Sequence, residues 1–182
     1  MSHHEFSGVT VELTVGDITA QPDADAVVNA ANAQLRTGGG VAGAIHRAAG
    51  PGLADECAPL APISPGQAVI TGAHGLPNRH VIHCLGPVYG SDEPSAELLA
   101  SCYRTALRLA DEADLGVVAF PAISTGVFGY PVRDAAAVAL RTVARAAPDL
   151  TSVSTVRFVL FDQRALDAHQ AALADVSGDA AR

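Results

Sequence analysis

Tryptophan is absent from the chain, and Phe and Tyr bring the aromatic content to only 4%. So few flat rings cannot build an aromatic platform for stacked bases. Cationic residues are also scarce, with 11 Lys and Arg against 19 Asp and Glu and a formal net charge of −8. Such a field does not gather DNA, RNA or acidic membranes. An anionic ligand must therefore be held locally, by backbone amides or a helix terminus. No apolar run approaches the roughly 20 residues of a membrane span. The opening "MSHHEFSG" lacks the basic and apolar regions of a signal peptide. Cys57, Cys84 and Cys102 form no C-x-x-C pair, and an odd number closes no disulfide framework. The reducing cytoplasm is the expected compartment. No metal site is expected either: His80 and His83, beside His74, fall on opposite faces of a strand, and His3–His4 is too short to form one. No cofactor is called for.

What the chain does contain is apolar bulk, 49% of 182 residues, much of it alanine. Charged residues make up 16%, which argues against disorder. The length suits a single domain over 1–182, with a core from about 9 to 175 and flexible tails at 1–7 and 177–182. "GVTVELTV" alternates as a strand, and "ADAVVNAA", "GQAVITGA", "RHVIHCL", "VVAFPAI" and "STVRFVLF" read as further strands. Helical segments lie between most of them: about Val41 to Ala49, "PGLADECAPL", the stretch after Ser91 or Asp92 up to Gly116, a helix opened by Pro131, and "QRALDAHQAALADV". Strand and helix alternate throughout, which indicates an α/β sheet with helices on both faces. Two strand pairs have no helix between them, so the sheet should be mixed.

Two glycine loops, Thr37–Gly43 and Ser124–Gly129, each follow a strand and precede a helix. Glycine lets main-chain N–H groups turn inward and a ligand come close. Successive inward amides form an anion nest, and the helix N-terminus adds partial positive charge. Two such loops at one sheet edge would clasp a diphosphate without lysine, reconciling an acidic protein with an anionic ligand. Gly38, Gly40 and Gly43 also satisfy G-x-G-x-x-G, which leaves a nicotinamide-dependent oxidoreductase as one alternative. Against it, "NAQLRT" separates the strand from the first glycine, and no acid ends a second strand at the right distance. There is no G-K-[ST], and Ser124 in "AISTG" is not a nucleophile elbow.

"GDIT", "DAVVNAAN", "GGGVAGAIHRAAGPGL", "HVIHCLGPVY" and "FPAISTGVFGYP" occur in an order that resembles the macro domain family, near its MacroD-type branch. The resemblance spans roughly Val9 to Ala174. It implies a three-layer α/β/α sandwich with a mixed, about six-stranded central sheet, acting as a monomer. It also implies a site for ADP-ribose, free or attached to protein. Its members include hydrolases that remove mono-ADP-ribose from side chains or deacetylate O-acetyl-ADP-ribose, and others that only bind.

Carried over by motif, Asp17 accepts a hydrogen bond from the adenine amino group and Ile18 offers its backbone amide. Asn32 holds hydroxyls of the distal ribose, with Asn29 as a structural residue tying down the loop. Gly38, Gly39, Gly40 and Val41 form the first diphosphate loop. Ser124, Thr125, Gly126, Val127 and Phe128 form the second, Phe128 packing on the distal ribose and Phe161 stacking on adenine. Asn32, Phe128 and Gly40 are the residues placed at the reacting centre. One departure matters: MacroD-type members read "GGGVDG", whereas Ala42 stands here where that aspartate is expected. A methyl group cannot take a proton, so a hydrolase of this sequence must position water with the substrate's own diphosphate. A non-catalytic ADP-ribose reader is the principal alternative.

Overall fold

The structure, a computed structural model, describes residues 1–180. Ala181 and Arg182, part of the expected C-terminal tail, lie outside the described residues. The strands are β1 (Ser2–Phe6), β2 (Val9–Val15), β3 (Ala26–Ala30), β4 (Ala68–Gly72), β5 (His80–Cys84), β6 (Val117–Phe120) and β7 (Thr155–Leu160). The helices are α1 (Gly40–Ala49), α2 (Pro51–Cys57), α3 (Ser95–Glu112), α4 (Val132–Ala146) and α5 (Gln163–Ala180). No described helix is long and apolar enough to cross a membrane.

Period-two alternation splits the sheet's two faces. In β2, Val9, Val11 and Leu13 enter one core, while Glu12 turns to the opposite face. In β3, Ala26 and Val28 join that core and Val27 enters the other. The larger core lies under α3, α4 and α5, and the smaller under α1 and α2, with Ile45, Ala49, Leu53 and Cys57 facing Val27, Val81, Ala119 and Val159. The result is helix, sheet and helix in three layers.

The sheet has seven strands in the order β1-β2-β7-β6-β3-β5-β4, one more than the expected six or so. The added strand comes from the segment read as a flexible N-terminal tail: Ser2–Phe6 pairs antiparallel with β2, with Phe6 opposite Val9. At the other end of the chain, 177–180 continue α5 rather than fraying. The sheet is mixed, as expected, but one of the two reasons is corrected. β2 and β3, joined without a helix, run the same way through β7 and β6; the antiparallel members are the edge strands β1 and β4. Two boundaries also move. α3 starts after Pro94, its first amide, Ser95 N–H, donating to the Glu93 carboxylate at 3.1 Å; Asp92 does not cap it, because its carboxylate instead accepts the Val88 N–H at 2.8 Å. The chain leaves α3 at Asp114, in the left-handed region at φ 58°, before Gly116.

The face under α1 and α2 contains a polar group inside the core. Asn29 and His83 stand opposite each other in the β3–β5 register. Contrary to expectation, Asn29 therefore does not tie down the glycine loop; its Nδ2 meets His83 Nδ1 at 3.1 Å across the sheet. His83 Nε2 lies 3.0 Å from Thr71 Oγ1, which donates to the Gly72 carbonyl at 2.9 Å. This chain has one consistent polarity. The amide donates to Nδ1, so the imidazole is neutral with its proton on Nε2. A second proton would face the Asn29 amide hydrogens. Burial, with the nearby His46, pushes the His83 pKa down to about 4.

An unfolded histidine titrates near 6.5, so between that value and about pH 4 the unfolded chain binds the proton that the fold excludes. Stability is complete above this window and falls as pH drops through it, by about 2 kcal/mol between pH 7 and pH 5 from this group. Burial lowers His46 and His169 as well, in the same sense. Urea midpoints at pH 7 and pH 5 should therefore differ for the wild-type chain. In His83→Gln the difference should shrink to the part carried by the other two. An undiminished pH dependence in that variant would refute the assignment.

Candidate functional site

The five parallel strands end at one edge, and the segments that follow them bear nearly every residue singled out in the sequence. β3 pairs directly with β6, Ala26 beside Val118, so the two glycine loops leave the sheet as neighbours. β2 pairs with β7, and the Gly16 N–H donates to Leu160 O at 3.1 Å, so Asp17 and Phe161 emerge side by side.

The first loop is shaped by Asn32. Its Oδ1 accepts the Arg36 N–H at 3.0 Å and its Nδ2 donates to the Arg36 carbonyl at 2.8 Å, closing the turn from both sides. One N–H and one lone pair of the amide remain for a ligand. Gly38 abuts Asn32: a Cβ at that glycine would lie 3.3 Å from Nδ2. Gly40 then takes φ 56°, the left-handed region that favours glycine, as the chain enters α1. Gly39 is the N-cap; no described side chain caps the helix and its first turn contains no acid. The amides of that turn, with the positive end of the helix dipole, face the edge. α1 lies so close to the loop that a Cβ at Gly43 would fall 2.2 Å from the Gly38 carbonyl oxygen.

The second loop rests on a buried tyrosine. Tyr103 of α3 accepts the Ile123 N–H at 3.3 Å. Ser124 adopts φ 68°, an uncommon conformation for a side chain-bearing residue, and is buried. Its Oγ finds no partner among the described residues. The carbonyl of Ser124 accepts the Tyr130 N–H at 2.9 Å, folding Thr125–Gly129 into a bend. Gly86 lets this loop close on the segment after β5, since a Cβ there would lie 2.1 Å from Ser124 Oγ.

Of the remaining expected residues, Ile18 is buried in the smaller core and Phe128 packs half-buried against it. Val41 is half-buried at the start of α1, and Thr125 Oγ1 donates to Ala122 O at 2.8 Å. Val127 and Phe161 stand almost wholly in solvent, 101% and 94% exposed, and Gly126 has open space around it. Large apolar groups held open beside two glycine loops fit a place where something flat and apolar docks. Asp17 is exposed; the Thr19 hydroxyl and then its N–H, both bonded to Oδ1, hold its pKa below the ordinary value. It is thus a charged acceptor at neutral pH.

Sequence reading missed three contributors. Arg47 brings Nη1 within 2.9 Å of the Cβ position at Gly43, and its spacing of four from that glycine on one helix was the available signal. Gly86 and Tyr89 lie inside a quoted motif but show their roles only in contact. The Tyr89 N–H donates to Phe128 O at 2.9 Å and its ring packs on Tyr130 at 4.8 Å.

No general acid or base stands in either loop. Ala42 is buried. His46, one turn on, is also buried with Nε2 unpartnered among the described residues, and burial lowers its pKa. No cluster of three or more His, Cys, Asp or Glu among the described residues suits a metal. A groove of about 550 Å³ between α3 and α4 lies away from this edge. Its lining includes the exposed pairs Glu97–Arg104 and Arg108–Glu112, a solvated helix surface rather than a site. The edge presents main-chain amides and an uncapped helix N-terminus, groups whose partial positive charge suits an anion.

The packing of α1 on the first loop is checked by two alanines. Gly43→Ala forces a Cβ into the Gly38 carbonyl and should cost about 1–3 kcal/mol in urea unfolding. Gly39→Ala, at φ −83° with nothing within 4 Å, should leave stability close to wild type. Equal midpoints for the two variants would contradict this packing.

Comparison with known proteins gives the same picture. The Macro domain family profile matches residues 28–139. A macro domain-containing protein of Streptomyces coelicolor is 51% identical over 174 residues, 92% of this chain and 99% of its own length. Another from Chlorobaculum tepidum is 49% identical, over 91% and 96% of the two chains. The macrodomain of Oceanobacillus iheyensis, solved with ADP, superposes with a TM-score of 0.93 at 39% identity, covering 98% of this chain and 97% of its own. That of Trypanosoma brucei, in complex with ADP-ribose, gives 0.82 at 36% identity over 88% and 68%. With its fold, its paired glycine loops and these relatives in agreement, the chain belongs to the macro domain family.

Proposed function

We propose that this edge binds ADP-ribose and that the protein hydrolyses mono-ADP-ribose from modified proteins, at ester-linked Asp or Glu side chains. The observation that supports this most is the adjacency of two glycine loops at one sheet edge, one running into an uncapped helix N-terminus. The diphosphate lies between them, held by amides of Gly38, Gly39, Gly40 and Val41 on one side and of Ser124, Thr125, Gly126, Val127 and Phe128 on the other. Adenine lies at Asp17, Ile18 and Phe161, where the free Asp17 Oδ2 accepts from the amino group. Asn32 and Phe128 orient the distal ribose, and the Gly40 amide helps fix the phosphate nearest it.

Cleavage places positive charge on the ribose ring as the anomeric C–O bond to the carboxylate breaks. A phosphate oxygen held nearby matches that charge and polarises an attacking water. The water oxygen bonds to the anomeric carbon, the carboxylate leaves with the bonding pair, and the water's proton passes to solvent. A carboxylate leaves without protonation, which suits a site with no acid at position 42. Deacetylation of O-acetyl-ADP-ribose would use the same site. The missing acid favours one second reading, a module that binds ADP-ribose without cleaving it.

The decisive measurement is release of labelled ADP-ribose from a glutamate-linked protein, with a serine-linked one alongside. Steady release from the first is expected, and Gly39→Glu, which fills the nest and adds like charge, should abolish it together with ADP-ribose binding. Retained label with tight binding would establish the reader instead. Ala42→Asp separates the chemistries: with water positioned by substrate, its rate should stay within about tenfold of wild type, roughly one hydrogen bond's worth. A gain of two or more orders of magnitude would show that the natural chain lacks an essential base.

A further inference from the structure

The segment joining β2 to β3 carries Asp17 at its start, and a buried arginine of β7 holds it in place. Arg157 donates from Nε to Glu12 Oε2 at 2.7 Å and from Nη1 and Nη2 to the two Asp23 carboxylate oxygens at 2.8 Å each. Nη1 also donates to Gln21 Oε1 at 3.1 Å. Gln21 passes the contact on, its Nε2 donating to the main-chain carbonyl of Asp17 at 2.9 Å. The Gln21 carbonyl is itself fixed by Asn78 Nδ2 at 2.7 Å. A continuous path thus runs from the buried Arg157, through one side-chain amide, to the backbone of the exposed Asp17.

The residue type at position 21 is demanding. It must accept from an arginine at one atom and donate to a carbonyl at the other, which the oxygen and nitrogen of a single amide do together. Glutamate would satisfy Arg157 but turn a lone pair on the Asp17 carbonyl. Beyond that carbonyl, the Asp17 carboxylate is already oriented through Oδ1 by Thr19, leaving Oδ2 without a partner among the described residues. The direction of Oδ2 is therefore set by Thr19 at the side chain and, at the main-chain carbonyl, by the Gln21 amide together with the Ala20 N–H at 3.1 Å.

We infer that Gln21 is a positioning residue for base selectivity, holding Asp17 so that the site favours a purine presenting an amino group over one presenting a carbonyl. This rests on the reading of Asp17 given above. An aimed carboxylate accepts from an amino hydrogen and repels a carbonyl oxygen, and a carboxylate free to swing away does neither well.

The test uses the full chain and two probes, ADP-ribose and its hypoxanthine counterpart, titrated calorimetrically. The quantity read is the ratio of their affinities, so charge added by a variant weakens both and cancels. Wild type should prefer the adenine compound by more than tenfold, about the value of one hydrogen bond to a charged group. Asp17→Ala should remove most of that preference. Gln21→Glu should lower it to within a few-fold of Asp17→Ala, with a lower urea midpoint at pH 7, because the new carboxylate joins Glu12 and Asp23 on one guanidinium and repels the Asp17 carbonyl. Gln21→Met, which keeps the length and loses both hydrogen bonds, should give the same ratio if the glutamate variant folds poorly. If Asp17→Ala loses the preference and both Gln21 variants keep it, the positioning role is overturned and the reading of Asp17 stands. If the Gln21 variants weaken both probes equally, Gln21 is merely structural and the inference fails. If Asp17→Ala keeps the wild-type preference, the reading of Asp17 falls, and this inference with it.

Discussion

The parallel pairing of β3 with β6 is the constraint on which the site depends. It brings together two loops separated by eighty residues of chain, and it does so at the carboxyl ends of the strands, where main-chain groups have left the ladder. Both loops are then pressed into shape by contacts that exclude even a methyl group, Gly43 against the Gly38 carbonyl and Gly86 against Ser124. Close packing of this kind has low compliance. It holds these short, glycine-rich segments still.

The polar interior under α1 and α2 plays a complementary part. Asn29, His83 and Thr71 form a directional chain between β3, β5 and β4, so the strand that leads into the first loop is locked in register by hydrogen bonds as well as by apolar packing. A one-residue slip of β3 would exchange Asn29 for a hydrophobic residue at this point. Arg157 acts similarly on the other side of the site, where it joins β2, β7 and the segment after β2 through three partners. The acidic chain thus uses one of its few cations for internal order, and its buried guanidinium is held charged by Asp23 and Glu12.

Much of this was legible in the sequence. Alternation in "VTVELTV", the short apolar runs and the Pro and Gly punctuation marked six strands and the helices between them, because those signals are local. The two glycine loops were legible for the same reason, and motif order supplied the family. β1 was not: "SHHEF" is short and polar, and it is a strand only because β2 offers it a free edge. The start of α3 was misplaced because Asp92 spends its carboxylate on Val88 rather than on the helix. Asn29 was assigned to the loop because its true partner, His83, lies 54 residues away and is fixed by register alone. Gln21, Gly86 and Tyr89 escaped notice because each acts through a contact that no spacing rule encodes, whereas Arg47 was readable only from its spacing of four to Gly43.

β1 has an effect on solution behaviour. By capping β2, it turns a seven-residue alternating strand into an interior one and leaves a five-residue border bearing two histidines and a glutamate. Short, polar borders are poor templates for another chain's strand. Removing Ser2–Phe6 would bare the long edge of β2 in their place, and the first consequence would be association between molecules rather than damage to the distant loops.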